Sequence, residues 1–418
     1  MPEPLSSGQI AGAVSDVLQS TAFIDMHTHL FQPSLGKLGL WGIDELVTYH
    51  YLEAELFRSS TMEPAQYFSL SKRAQADLIW KTLFVDNAPI SEATRGVVAV
   101  LQAFGLPTAS ADLTEARRFF ESQNLHTHIG NVLQLSGVSD VVMTNDPLDP
   151  KEAPLWAARP QADPRFHAVL RLDRILNKWS DHWEILRAQG YSVDESASES
   201  AGEVRRFLER WITTMKPVYA ACSLPDTFAF PEDSPRGRLL ADAVLPVCRQ
   251  ANIPLSLMIG VRYLVNPDLR LAGDASGLAD LRALETICRR FPANRFLVSL
   301  LSRENQHELC VYARKFRNMM PFGCWWFLNN PSVVEEVTRE RVEMLGASFI
   351  PQHSDARVLE QLIYKWRNTR RTLAPILTQT YSTLAEDGRP VTKADIEHDV
   401  KRMFRGNFTQ FAPAAAGR

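Results

Sequence analysis

Phe23-Ile24-Asp25-Met26-His27-Thr28-His29 is the stretch whose reading decides the fold. A short apolar, β-rich run ends here in two histidines one residue apart. In an extended strand, side chains two apart share a face. His27 and His29 can therefore approach one divalent cation from the same side. Parallel barrels carry their chemistry at the C-terminal ends of strands, which is where this pair falls. The chain supplies its own contrast in His126-Thr127-His128. That tripeptide sits in a run of helical period, residues 121–135, where side chains two apart diverge. It reads as a pair of surface residues with no ligand role.

Working outward from the first run, similar apolar runs recur at residues 22–26, 140–143, 166–172, 215–221, 254–259, 295–300, 320–327 and 348–352. Amphipathic segments of helical period lie between most of them, at 201–215, 236–251, 277–291, 306–318 and 331–345. Strands alternating with helices imply parallel pairing through crossovers. Eight such strands predict an α/β fold, a (β/α)8 TIM barrel. No Gly-rich phosphate loop follows the first strand, so an open doubly wound sheet is the lesser alternative. Residues 30–138 break the rhythm with helical patterns at 43–57, 64–83, 91–103 and 113–121. They read as a helical insertion between strands one and two, lying over the barrel mouth. The expected organisation is an N-terminal segment with strand one (1–29), the insertion (30–138), and the rest of the barrel with C-terminal helices (139–418). Helical patterns return at 357–385 and 393–404, and the small, polar residues 412–418 are expected to fray.

The chain has 418 residues, 45% hydrophobic and 22% charged, with a formal net charge of -3. That balance suits a soluble globular protein with a large core. It gives no electrostatic case for a nucleic-acid or membrane partner. No apolar run is long enough to span a bilayer. Residues 1–20 lack the basic and apolar regions of a secretory signal. Five cysteines without paired spacing fit a reduced, cytoplasmic protein.

Four further groups of residues bear on chemistry. Strand eight ends in Gln352-His353-Ser354-Asp355-Ala356-Arg357. Asp355 can complete a His, His, Asp metal set or act as a general base, and Arg357 offers a fork for a carboxylate. The plain alternative is a helix N-cap at Ser354 or Asp355. Strand seven ends in Gly323-Cys324-Trp325-Trp326-Phe327. Neighbouring strand side chains point to opposite faces, so either one of Trp325 and Trp326 is in the core and the other against a sugar face, or both are buried structurally. Arg171, closing strand three, is either an anion clamp or an ordinary ion pair. His50-Tyr51, within the insertion, either transfers protons or packs. A binuclear hydrolytic site would need a lysine closing strand four and histidines ending strands five and six. Met258 and the Leu300-Leu301-Ser302 run stand where those histidines would be, and Lys216 opens strand four. The expected site holds one metal and leaves positions open for substrate oxygens.

Taken in order, His27-Thr28-His29, His50-Tyr51, Arg171, Trp325-Trp326-Phe327 and Ser354-Asp355-Ala356-Arg357 resemble the uronate isomerase family of the amidohydrolase superfamily. The resemblance runs over most of the chain. It implies a (β/α)8 barrel, one divalent metal ion (commonly zinc), and isomerisation of D-glucuronate to D-fructuronate or D-galacturonate to D-tagaturonate. His27, His29 and Asp355 would hold the metal. Arg357 and Tyr51, with His50 nearby, would act at C1 and C2, and Arg171 would clamp the carboxylate or a hydroxyl. The base is open among Asp355, His50 and Tyr51. The partner is then a small hexuronate, and a homo-oligomer is compatible. The chain departs from the family pattern in having Tyr49 where many members carry Asp, Ala356 where Ser is usual, and Met258 where many have histidine. It fits a divergent branch. The other readings are a metal-dependent hydrolase or decarboxylase on the same barrel, and a non-catalytic sugar-acid-binding descendant.

Overall fold

The computed structural model describes residues 3–415. Its strands pair in parallel in sequence order. Phe23–Asp25 pairs with Val138–Val142, which pairs with Phe166–His167. Leu170–Arg171 pairs with Ala220–Pro225, then come Leu255–Arg262, Phe296–Leu300 and Met319–Pro321. Bridges Asn145↔Leu170 and Phe322↔Ile350 join these sheets to each other and to the eighth strand segment. The ring then closes on itself: Asp355 N donates to His27 O (3.1 Å) and His29 N to Ala356 O (2.7 Å). An eight-stranded closed barrel results, as the alternating pattern requires.

Two cores follow from this closure. Ile24, Met26, Val142, Val169, Met258 and Leu297 belong to an inner apolar cluster within the barrel. Phe23 instead packs on Trp366 and Phe404, among the helices outside. The C-terminal helix Asn407–Phe411 sends Phe408 and Phe411 into the inner cluster. Asn407 Nδ2 donates to Ala347 O and Phe349 O, so this helix plugs the barrel at the start of strand eight. Ala412 is fully buried and Pro413–Ala415 form a 3-10 turn. Fraying from residue 412 is thereby corrected, and residues 416–418 lie outside the described residues. Among the described residues no helix is long and apolar enough to cross a membrane.

Other local expectations shift for physical reasons. Strand three is split in two at Ala168-Val169, where the Asn145 side chain takes the Val169 N–H (3.2 Å). Strand four starts at Ala220, later than the sequence suggests, because Lys216 caps the helix Ala201–Met215 in a left-handed conformation (φ 50°). The expected helix over 43–57 is two helices, Ile43–Val47 and His50–Ser59, interrupted at Thr48 and Tyr49. That break puts His50 at the start of its own helix. An antiparallel excursion, Ala275–Ser276, pairs back onto the end of Leu255–Arg262. The loop it closes carries Arg270 over the ring of Phe68, 4.0 Å from the centroid.

Candidate active site

The regular part of strand one ends at Asp25, yet the His-Thr-His tripeptide stays extended because both neighbours hold it. Thr28 N donates to Val142 O (2.9 Å) on one side, and strand eight pairs with His27 and His29 on the other. Both imidazoles therefore reach Asp355. His29 Nε2 lies 3.3 Å and His27 Nε2 3.7 Å from Asp355 Oδ1. Asp355 takes φ 50°, which turns its carboxylate toward the two rings where regular strand alternation would not. Among the described residues this is the one cluster of three His, Cys, Asp or Glu side chains with metal-ligand spacing, its ligand atoms within 4.8 Å of one another.

The donor set fits a cation on three counts. Burial lowers the His27 pKa to about 3, against the opposing pull of Asp355, and burial with Arg357 lowers that of His29, so both rings are neutral ligands. Tyr219 gives its single hydroxyl proton to Met26 O (2.6 Å) and so accepts from His27 Nδ1 (3.2 Å). That fixes the tautomer with a lone pair on Nε2, facing the carboxylate. Finally, Asp355 Oδ1 is buried with no hydrogen-bond partner. An acceptor oxygen facing an acceptor nitrogen in a dry site is unfavourable unless a cation joins them. Tyr219→Phe is expected to weaken metal affinity about 10–100-fold by freeing the His27 ring. Competition with a chelator measures this, and an unchanged affinity would refute the tautomer argument.

Around this cluster the insertion contributes Tyr49, His50 and Tyr51. The His50 ring lies 4.2 Å from Tyr49, 4.7 Å from Tyr51 and 5.9 Å from Trp326. Both His50 ring nitrogens are buried without a partner. Burial, reinforced by Arg357, lowers its pKa, while burial raises that of Tyr51. Arg357 Nε is also buried and unpartnered. Arg171 differs: Asp173 accepts from its Nε (2.9 Å) and Nη2 (3.1 Å), leaving Nη1 as its uncommitted edge.

The structure bears on three of these readings. Trp325 and Trp326 do not divide between opposite faces. The strand has already ended at Pro321, Trp326 opens a 3-10 turn at φ 46°, and both rings join the inner cluster 6.2 Å apart. Of the second His-Thr-His, His126 is exposed but His128 is not a surface residue. It is wholly buried and bonded to the equally buried Glu360 at 2.7 Å. Of the two readings of Arg171, the ion pair is present, with Asp173, and its charge also acts on His27 and His29.

Sequence reasoning missed several contributors. His353 is fully buried, with its ring 5.3 Å from that of His27 and both nitrogens unpartnered. Gly323 (φ 61°) makes room for it, since a Cβ there would collide with the imidazole. Asp25 accepts from Ser354 N (3.0 Å) and Trp366 Nε1 (2.8 Å), tying strand eight to strand one, and burial raises its pKa to about 6. Asp173, two residues beyond Arg171, was within reach of the alternation argument. Tyr219 carried no signal beyond a hydroxyl in an apolar run.

A closed (β/α)8 barrel with a His, His, Asp cluster at its mouth is the amidohydrolase-like architecture. No protein-family model and no curated protein matches the sequence. Solved structures do. The chain is 50% identical to a uronate isomerase from Bacillus halodurans C-125, covering 98% of each chain with a TM-score of 0.96. It shares the fold of a uronate isomerase from Thermotoga maritima at 16% identity, covering 98% of each chain (TM-score 0.77). It also shares that of a glucuronate isomerase from Caulobacter crescentus at 12% identity, covering 99% of this chain and 95% of that one (TM-score 0.73). The chain belongs to the uronate isomerase family, and it is an enzyme.

Proposed function

We propose that this enzyme interconverts a D-hexuronate and its 2-keto isomer, D-glucuronate with D-fructuronate or D-galacturonate with D-tagaturonate. The observation that carries the reading is the 50% identity over 98% of the chain to a uronate isomerase. The reaction moves a proton between C2 and C1 through an enediol. It needs a base, an acid, a cationic group for the developing oxyanion, and a clamp for the distant carboxylate.

The residues supply each part. His27, His29 and Asp355 would hold one divalent metal ion, zinc by the nitrogen and oxygen character of the set. Bound there, such an ion polarises substrate oxygens as a Lewis acid. Arg357, with its buried and unpartnered Nε, pairs with charge developing on the substrate oxygens. Tyr51, whose phenol burial keeps protonated, serves as acid. Asp355 or the neutral His50 accepts the C2 proton. Arg171 binds the substrate carboxylate or a hydroxyl through its free edge, and Trp326, with Trp325 behind it, offers an apolar wall for the sugar face. We place the enzyme in a reducing cytoplasm, since all five cysteines are free and buried.

Water-splitting binuclear chemistry is the weaker reading, because Met258 lies in the inner apolar cluster where a ligand histidine would stand. The test is direct. Metal-loaded protein incubated with glucuronate and galacturonate is expected to form a ketose from at least one, and to exchange the C2 proton with solvent deuterium. Neither turnover nor exchange with either sugar would overturn the proposal.

A further inference from the structure

The long C-terminal helix Gln361–Glu386 packs against Glu92–Ala103 of the insertion. Between them lies a cavity of about 210 Å³. Its lining includes three guanidinium groups, Arg95, Arg367 and Arg371, and one carboxylate, Glu92. A smaller recess continuing from the same Glu92 and Asn368 is lined by Lys365.

The charges there do not balance. Arg95, Arg367 and Arg371 take part in none of the ion pairs among the described residues, and Arg367 Nε is buried with no hydrogen-bond partner. Lys365 is only 4% exposed, and its Nζ makes neither a hydrogen bond nor an ion pair among those residues, lying 5.5 Å from the Tyr364 ring centroid. Elsewhere in the same chain arginines find carboxylates readily, as Arg117 does with Asp44 and Asp77. Arg367 and Arg371 stand four apart on one helix, where like charges repel. Burial and the neighbouring Arg371 both act against the charge on Arg367. Arg95 and Arg371 are exposed and Arg367 is half-buried, so the cost here is the mutual repulsion of unpaired like charges around one cavity, which an anion bound among them relieves. At this volume the space is below that of ordinary drug-sized pockets, about 300 Å³ and upward, which points to a small ligand. Planar guanidinium forks suit tetrahedral oxyanions as well as carboxylates, and several of them together favour the more highly charged.

We propose that this cavity is a binding site for a phosphate group, distinct from the uronate site, held by Arg95, Arg367 and Arg371. It joins the insertion to the helix that begins just after Arg357.

The test is titration of the full chain with inorganic phosphate at constant ionic strength, against chloride, by calorimetry and thermal unfolding. Saturable binding of one phosphate per chain is expected, with a rise in Tm. The double variant Arg367→Ala/Arg371→Ala should weaken it at least tenfold. Because these cations repel when the cavity is empty, the same variant should lose no Tm without phosphate and should keep its turnover of uronate. Asp355→Asn should bind phosphate like the parent, separating this cavity from the uronate site. A hexose phosphate binding tighter than inorganic phosphate identifies an ester as the ligand; equal affinity identifies the free ion. Phosphate that binds no better than chloride, or equally well to the double variant, would overturn the proposal.

Discussion

Asp355→Asn is expected to lower kcat for uronate isomerisation about 10³-fold, within the range spanned by lost general-base and oxyanion-stabilising groups. The substitution is chosen for its backbone. Asp355 sits at φ 50°, a region asparagine tolerates better than other uncharged residues, so the loop should survive. What is lost is one negative charge at the oxygen that faces His27 Nε2 and His29 Nε2. Two neutral imidazoles and an amide hold a divalent ion far less firmly than a set containing a carboxylate. Metal content should therefore fall together with kcat. The measurement is kcat, KM and metal stoichiometry on the same sample. A variant within tenfold of the parent rate, at equal metal content, would remove Asp355 from both roles. A variant that keeps its metal but loses its rate would assign Asp355 the base role and demote its role as ligand.

The sequence made one kind of information plain and hid another. Strand-one chemistry was legible because His27 and His29 are adjacent in the chain and their spacing has a geometric meaning in an extended backbone. The barrel was legible because its period repeats. The partners that make the pair a site come from far along the chain: Tyr219 is 192 residues from His27. No local pattern marks such a residue, since a tyrosine in an apolar run looks like core until its hydroxyl is located. Departures from regular alternation were hidden for a related reason. Trp326 and Asp355 both take left-handed backbone conformations beyond the ends of strands, so the two-residue rule stopped applying where the chemistry begins. The His126 and His128 reading failed differently. Helical divergence is why one histidine is exposed. The other is thereby turned inward, onto a glutamate 232 residues away that no helix pattern could reveal.

His128→Ala is expected to cost about 3–5 kcal/mol of stability, the loss typical of breaking a buried ion or hydrogen-bonded pair from one side. His128 and Glu360 are each 0% exposed, and Glu360 Oε1 also accepts from Gly42 N (3.1 Å). Trp41, Phe104 and Phe120 surround the imidazole at 5.4–5.6 Å between ring centroids. Removing the ring leaves a carboxylate in that apolar enclosure with one backbone N–H for company. Water cannot easily repair the loss. Glu360 immediately precedes the helix Gln361–Glu386 and lies three residues past Arg357, so the strain falls on the junction between the insertion and strand eight. The double variant His128→Leu/Glu360→Leu should recover much of the stability, less about 1–3 kcal/mol for the stranded Gly42 N–H. Denaturation midpoints of the parent, the single and the double variant decide this. A single variant costing under 1 kcal/mol, or a double variant no better than the single, would show that the pair is not what holds the junction. His126→Ala is the internal control. It removes the other histidine of the same tripeptide from the exposed side of the same helix, and its midpoint should match that of the parent.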